Sequence, residues 1–126
     1  MKILKVIKTH TSEFPVPLIA TKGDIVEGME RETEFEGWLW CKNSHDVHSW
    51  VPKTYLGPTS ESGQFQFLQD YTSQELTIDA GQEVIVLDQE SGWAWARTTL
   101  GEEGWIPLVN LEELKDKPDS IPDLAK

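Results

Sequence analysis

The amino-acid sequence predicts an all-β protein in which two small units, each a barrel or a sandwich, follow one another in tandem. Three observations support this prediction: a tryptophan-rich pattern that occurs twice, short runs of alternating large and small side chains, and glycine-containing turn signals between the runs. The 126 residues suffice for two units of about 60 residues, a size at which a domain is marginal but can fold alone.

The repeat emerges when the chain is aligned with itself. Residues 37–56 and 92–111 align without a gap at an offset of 55, and both contain Gly-Trp-x-Trp followed by Trp-x-Pro. Three tryptophans coincide, which argues against a chance match because tryptophan is rare. Gly23 aligns with Gly81 at an offset of 58, so the first copy has three additional residues before its first tryptophan. Such length differences are typical of loops between fixed strands.

The local patterns favour strands over helices. In Trp38-Leu-Trp-Cys and Trp93-Ala-Trp-Ala, large and small side chains alternate with a period of two, which is the period of a strand. We therefore expect Trp38 and Trp40 on one face of their strand, and Leu39 and Cys41 on the other. Strands this short, separated by turns, indicate a small barrel or sandwich in each copy.

The domain boundaries follow from the repeat. We predict a first domain at residues 1–57, a linker at 58–63, a second domain at 64–114 and a flexible tail at 115–126. The linker contains no large apolar residue, and the tail is polar with two prolines. Because so short a linker spans at most about 25 Å, the two domains are expected to stay close together.

The charge of the chain limits its partners. Eleven basic and 22 acidic residues give a net charge of -11, which disfavours binding to nucleic acids and to anionic membranes. Residues 1–57 hold seven basic and eight acidic residues, whereas residues 58–126 hold four and fourteen. The second half is therefore expected to attract a basic partner, although acidity also keeps a protein soluble.

The N-terminal residues and the single cysteine predict the compartment. Residues 1–10 contain short apolar stretches interrupted by lysines and lack the apolar core of a signal peptide. One cysteine, Cys41, excludes an intrachain disulfide. We therefore expect a cytoplasmic protein in a reducing compartment.

Catalytic and metal chemistry find little support in the sequence. Cys41, His45 and His48 lie close together, which invites a zinc interpretation, but there is no Cys-x-x-Cys pair. The same cysteine is expected to face the core, where a thiol is a poor nucleophile. The sequence also has no glycine-rich phosphate loop before a helix. We expect no catalytic residue, no metal and no cofactor.

Each copy resembles a Src-homology-3 domain of the divergent kind found in bacteria. In the second copy the resemblance rests on residues 67–71, 75–81, 92–93 and 104–107, and in the first copy on residues 17–24, 37–38 and 50–56. It covers residues 4–57 and 64–112. The resemblance implies two SH3-like β-barrels in tandem.

The resemblance also implies a binding site for extended proline-rich peptides, which dock on aromatic grooves because their rigid helix loses little entropy. Three of the family's five groove positions are kept in each copy: Trp38, Pro52 and Tyr55 in the first, and Tyr71, Trp93 and Pro107 in the second. The other positions are Lys8, His10, Gln69 and Asn110.

The expected function is a non-enzymatic protein- or peptide-binding module, with a partner that contains proline or basic residues. One alternative is a structural or self-association module, whose aromatic faces are buried between domains or subunits. Low exposure of Trp38 and Trp93 would favour this alternative. A second alternative, binding to cell-wall peptidoglycan, requires export of the protein.

Overall fold

The computed structural model describes residues 2–13, 16–33 and 35–114. These residues form twelve strands and two short 3₁₀ turns, at Lys53–Tyr55 and Leu108–Asn110. No helix in the described ranges is long and apolar enough to cross a membrane. The strands are β1 Lys2–Val6, β2 Ile19–Ala20, β3 Ile25–Met29, β4 Trp38–Lys42, β5 His48–Pro52, β6 Leu56–Pro58, β7 Gln64–Phe67, β8 Tyr71–Thr72, β9 Glu83–Glu90, β10 Trp93–Thr98, β11 Glu103–Pro107 and β12 Leu111–Glu113.

Two five-stranded antiparallel sheets with the same topology contain most of these strands. The first sheet has the order β5-β4-β3-β7-β6, and the second has the order β11-β10-β9-β1-β12. Strands β2 and β8 form a separate two-stranded pair. The predicted all-β class is confirmed, and the sheets are consistent with SH3-like barrels.

The N-terminal strand β1 belongs to the second sheet, which is otherwise built from the C-terminal half of the chain. It pairs with β9, where Ile3 lies opposite Ile85, and with β12, where Val6 lies opposite Leu111. The Val6 N–H donates to the Gln82 carbonyl at 2.7 Å. The first predicted domain therefore supplies a central strand to the sheet of the second.

Strand β7 makes the reciprocal exchange. It lies in the first sheet, where Phe67 pairs with Leu56 of β6 and Gln66 pairs with Ile25 of β3. The predicted linker consequently forms the loop of the β6–β7 hairpin. Strand pairing thus does not follow the predicted boundaries of 1–57 and 64–114. The reason is that β1 and β7 carry equivalent patterns, so sequence alone does not assign each to a sheet. The predicted tail lies outside the described residues.

Two crossing segments connect the sheets and hydrogen-bond to each other. Residues 7–13 and 16–18 belong to the first segment, and residues 68–82 form the second. The His10 N–H donates to the Ile78 carbonyl at 2.9 Å, and the Ile78 N–H donates back to His10 at 2.8 Å. The Ser73 hydroxyl of the second segment accepts a hydrogen bond of 2.8 Å from the Leu18 N–H of the first. These bonds satisfy backbone groups that would otherwise be buried without partners.

Each sheet covers its own apolar core. The second core contains Leu4 and Val6 of β1 together with Leu76, Ile78, Val84, Val86, Ala94, Ala96, Ile106 and Leu111. The first core contains Leu18, Ala20, Val26, Leu39, Cys41, Val51, Tyr55, Phe67 and Tyr71, together with Trp105 from the other sheet. Burial of one Val or Leu side chain stabilises a fold by about 1.5–3 kcal/mol, so the exchanged strands are firmly held.

The tryptophan strands behave as their alternation predicts. Leu39 and Cys41 of β4 lie in the first core, and the corresponding Ala94 and Ala96 of β10 lie in the second. The tryptophans of both strands lie on the opposite faces, and Trp38 and Trp93 meet where the two sheets approach each other.

Candidate functional site

A cluster of aromatic rings lies where the two sheets meet. The Trp38 ring of β4 meets the Trp93 ring of β10 with centroids 6.1 Å apart, and it meets Trp105 of β11 at 5.9 Å. Tyr71 of β8 lies 6.3 Å from Trp105. These separations fall within the range of favourable aromatic pairs, so the rings form a continuous packed surface.

Polar atoms of these rings are bonded to backbone carbonyls. The Trp38 Nε1–H donates to the Ser91 carbonyl at 2.8 Å, and the Trp105 Nε1–H donates to the Thr72 carbonyl at 2.8 Å. The Tyr71 hydroxyl donates to the Trp50 carbonyl at 2.9 Å. Because buried indole and phenol groups need such partners, these bonds fix the orientation of the rings.

Two glycines allow this close approach. Gly37 and Gly92 precede the two tryptophan strands with φ angles of +100° and +91°, a region that other residues rarely adopt. A Cβ on Gly92 would lie 2.7 Å from the ring of Phe35, and one on Gly37 would lie within 2.5 Å of the Ser91 hydroxyl. A side chain at either glycine would therefore require the facing side chain, Phe35 or Ser91, to shift.

The strand exchange redistributes the groove positions that the resemblance implied. Tyr71, which follows β7 and lies in β8, packs in the first core and so joins Trp38, Pro52 and Tyr55 in the first half. The second sheet keeps Trp93 and Pro107, and its remaining positions fall on polar residues. One half of the molecule thus has four of the five groove positions and the other has two, instead of three in each.

A cavity of about 850 Å³, called the central cavity below, lies at this junction. Trp38 and Tyr71 line it from the first half, and Trp93 and Pro107 from the second. Its polar lining includes His10, Ser49, Ser73, Glu75 and Asn110.

Two polar groups in the central cavity are already paired. The His10 Nε2 atom lies 3.0 Å from the Glu75 Oε1 atom, and the His10 ring packs edge to face on Trp93. The Asn110 Nδ2 group donates to the Lys8 carbonyl at 3.0 Å. These pairs hold the N-terminal segment against the second half.

The Ser49 hydroxyl differs from these two groups in its hydrogen bonding. Ser49 is 3% exposed, and its hydroxyl makes no hydrogen bond to any residue that the structure describes. Buried polar groups are nearly always hydrogen-bonded, and leaving one unpaired costs about 1–3 kcal/mol. Ser49 therefore offers a donor and an acceptor to a bound molecule.

A second cavity of about 460 Å³, called the side cavity below, adjoins the central one because Tyr71 and Trp105 line both. Its other walls include Tyr55, Trp95 and two carboxylates, Asp70 and Asp88. Burial raises the pKa of the Tyr55 phenol, and the charges of Asp88 and Glu90 raise it further.

The six sequence-predicted site residues do not all meet. Four of them, Trp38, Tyr71, Trp93 and Pro107, line the central cavity, whereas Tyr55 lines the side cavity with Tyr71. Pro52 is buried opposite Trp38 in the first sheet and lines neither cavity. Trp38, Tyr55 and Tyr71 are each less than 9% exposed.

Several lining residues were missed by the sequence analysis. His10 and Asn110 occupy groove positions of the family that the chain resembles, so the sequence could have indicated that they lie at the site. Ser49 and Trp105 carried no such signal, because their positions depend on how the two sheets pack.

The region around Cys41 provides no catalytic or metal-binding arrangement. Burial raises the pKa of its thiol to about 12, so the reactive thiolate is not formed at neutral pH. His48 stacks on Trp40 with centroids 6.0 Å apart. Among the described residues, no three His, Cys, Asp or Glu side chains gather closely enough to hold a metal ion.

Comparison with known proteins supports the resemblance for part of the chain. A family model described as SH3 domain matches residues 68–108, which include β8 to β11. No curated protein matches the chain. The match supports an SH3-type domain, and SH3 domains are in general non-catalytic modules for protein interaction.

Proposed function

We propose that the chain binds an extended, proline-containing peptide segment of a partner protein in the central cavity. The observation that carries this proposal is that groove aromatics from both halves line this one cavity. Beside them lies the buried Ser49 hydroxyl, to which no residue in the described part of the chain hydrogen-bonds. The site is thus shared by the two halves, in place of two independent grooves.

The size and composition of the cavity suit such a ligand. Its volume of about 850 Å³ falls within the range of about 300–1,000 Å³ that is usual for ligand pockets. Hydrogen bonds hold the rings of Trp38, Tyr71 and Trp105, so little ordering entropy is lost when a ligand packs on them. The Ser49 hydroxyl gains a partner when it bonds to a backbone group of the peptide.

A peptide array followed by calorimetry tests the proposal. Proline-containing peptides that bind the full chain are then titrated against Trp93→Ala, Ser49→Ala and the control Trp40→Ala. Trp40 is a partly buried tryptophan outside the central cavity. We expect Trp93→Ala to weaken binding at least tenfold and Ser49→Ala about fivefold, as loss of a packed ring and of a hydrogen bond would. Equal weakening by Trp40→Ala would overturn the proposal.

The same geometry favours a second candidate, a structural role for the aromatic cluster. Trp38 is only 6% exposed, and its indole is bonded to Ser91 of the other half. In this structural role, the aromatic rings hold the two sheets together and bind no ligand. The absence of any peptide binding, together with loss of stability in Trp93→Ala as large as in Trp38→Ala, would favour it.

A further inference from the structure

Strand β5 is an edge strand of the first sheet, with β4 on one side only. In the ladder between them, Trp50 lies opposite Trp40. Two residues further along, Pro52 lies opposite Trp38. Proline has no N–H to donate to a neighbouring strand, and pairs two residues apart share the same hydrogen-bonding phase. The Trp50 N–H and carbonyl therefore point away from β4, toward the outer edge of the sheet.

The two outer backbone groups of Trp50 differ in their hydrogen bonding. The carbonyl accepts the Tyr71 hydroxyl at 2.9 Å. The N–H donates to no residue in the described part of the chain. A backbone N–H of this kind at a sheet edge is the group with which an added strand pairs.

The corresponding edge of the second sheet is closed by an extended segment of the chain. Trp105 of β11 aligns with Trp50, and its N–H donates to the Gln74 carbonyl at 2.9 Å. The Trp105 carbonyl accepts the Leu76 N–H at 3.0 Å. Glu75, between these two residues, forms a parallel bridge with Trp105. The molecule itself therefore shows what an edge of this kind binds, which is a stretch of extended backbone.

Ser49 gives the physical reason why the first edge is not closed in the same way. Its counterpart in β11, Gly104, touches the closing segment so closely that a Cβ there would lie 2.9 Å from the Leu76 nitrogen. Ser49 carries such a Cβ. The N–H of Leu18, which aligns with Leu76, bonds to the Ser73 hydroxyl at 2.8 Å instead of to β5.

The central cavity lies along this edge. Ser49 and Trp50 are consecutive in a strand, so their side chains point to opposite faces of the first sheet, yet both line the cavity. A cavity that touches both faces of one strand lies against the edge between them. A peptide in the central cavity therefore reaches the Trp50 N–H as well as the aromatic rings.

We propose that the partner's peptide adds to the first sheet as a further strand beside β5, with one of its carbonyls accepting the Trp50 N–H. This inference rests on the proposed function and specifies how the peptide is held in the central cavity. The Trp50 carbonyl is already bonded to Tyr71, so the peptide residue that faces it needs no N–H and can be proline. Strand addition therefore suits a proline-containing segment whose backbone is extended.

Amide hydrogen exchange, followed by NMR, tests the edge first in the free chain. We expect the Trp50 N–H to exchange about a hundredfold faster, or more, than the Trp105 N–H, which is hydrogen-bonded to Gln74. Equal protection of the two amides would mean that the first edge is closed, and it would overturn the proposal.

The second measurement uses the peptides of the array as probes, each with a counterpart in which alanine replaces proline. On saturation with a peptide that binds, we expect exchange of the Trp50 N–H to slow by about tenfold or more. The Val51 N–H is the control, because it belongs to the other phase of the ladder and points toward β4. Equal slowing at Val51 and Trp50 would show general stabilisation of the sheet and would overturn the added strand.

The Trp93 indole, on the opposite wall of the central cavity, separates this proposal from the proposed function. A proline-containing peptide that shifts the Trp93 indole signal without slowing exchange at Trp50 would overturn strand addition alone. Alanine counterparts that slow exchange at Trp50, with no proline-containing peptide shifting Trp93, would overturn the proposed function alone. If no peptide produces either change, both proposals are overturned.

Discussion

Trp38 and Trp93 are equivalent residues of the two copies, and their rings meet edge to face with centroids 6.1 Å apart. Contact between equivalent residues means that the two halves face each other through the same surface, as subunits of a two-fold dimer do. In each copy this surface carries the tryptophan of the peptide groove that the resemblance implied. The two surfaces therefore meet at one junction instead of forming two separate grooves.

The first prediction concerns the unequal burial of these two rings. Trp38 is 6% exposed whereas Trp93 is only partly buried. We expect Trp38→Ala to lower the free energy of unfolding by about 3–5 kcal/mol, as for other buried aromatic residues. Trp93→Ala should cost about 1–2 kcal/mol. Urea denaturation measures the loss of unfolding free energy in both variants. A smaller loss for Trp38→Ala than for Trp93→Ala would contradict the structure.

The second prediction tests the close approach at Gly92. Both Gly92 and Gly101 have positive φ angles, +91° and +92°, but a Cβ at Gly101 meets no atom within 4 Å. An alanine at either position carries the same backbone strain, and only Gly92→Ala also collides with Phe35. We expect Gly92→Ala to be less stable than Gly101→Ala by about 1–3 kcal/mol in thermal or chemical denaturation. Equal stabilities would show that the halves are not tightly apposed there.

The third prediction tests the strand exchange by cross-linking. Ile3 lies opposite Ile85, and directly opposed residues have Cβ atoms about 4.5–5.5 Å apart, a distance from which a disulfide forms after slight adjustment. If each copy paired with itself, Ile3 would instead face Glu27, which aligns with Ile85 at the offset of 58.

We expect the double variant Ile3→Cys with Ile85→Cys to form an intramolecular disulfide on mild oxidation. The control, Ile3→Cys with Glu27→Cys, should stay reduced. Mass spectrometry after thiol alkylation shows whether each double variant has formed its disulfide. The native Cys41 does not compete for disulfide formation because it is buried. The opposite pattern of cross-links would mean that the strands are not exchanged.

The fourth prediction concerns stability at alkaline pH. Burial raises the pKa of Cys41 from 9.0 to about 12 and raises the pKa of Tyr71 well above 10.0. Below pH 9 both folded and unfolded chains keep these protons. Above it the unfolded chain loses them while the folded chain keeps them, so the free energy of unfolding falls as pH rises.

Urea denaturation between pH 8 and pH 11 measures this fall, and Cys41→Ala supplies the comparison. The variant should start from a lower stability, because a buried side chain is truncated, but its stability should decline less steeply with pH. Identical slopes for the two proteins would contradict the burial of this thiol.

Much of the fold was predictable because it is encoded locally. The alternation of Trp38 to Cys41 predicts a strand with Leu39 facing the core, and the structure has that strand. Residues 58–63, predicted as a linker, have no large apolar side chain, and the turn between β6 and β7 lies among them. Patterns of this kind report the local period and the exposed face of a segment.

The sheet to which a strand belongs was not predictable, because β1 and β7 carry interchangeable patterns. Val6 and Phe67 occupy corresponding places opposite Leu111 and Leu56, and either residue can fill a core. Register and face are encoded by alternation, whereas the choice between two similar sheets depends on the crossing segments.

The candidate site was predictable only in part for the same reason. Trp38, Tyr71, Trp93 and Pro107 were identified from the resemblance, and they line one cavity. That they share it, and that Ser49 joins them, depends on the exchange and on the packing of the two sheets. A local sequence pattern does not carry this information.

The most direct test of the proposed binding site, which both halves line, is an NMR titration with a proline-containing peptide selected from the array. It follows the six tryptophan indole signals. We expect a saturable shift of the Trp93 signal, which is assigned by its absence from the spectrum of Trp93→Ala, while the Trp40 signal outside the central cavity stays in place. Saturable binding of the peptide without a shift of the Trp93 indole signal would contradict the proposed site.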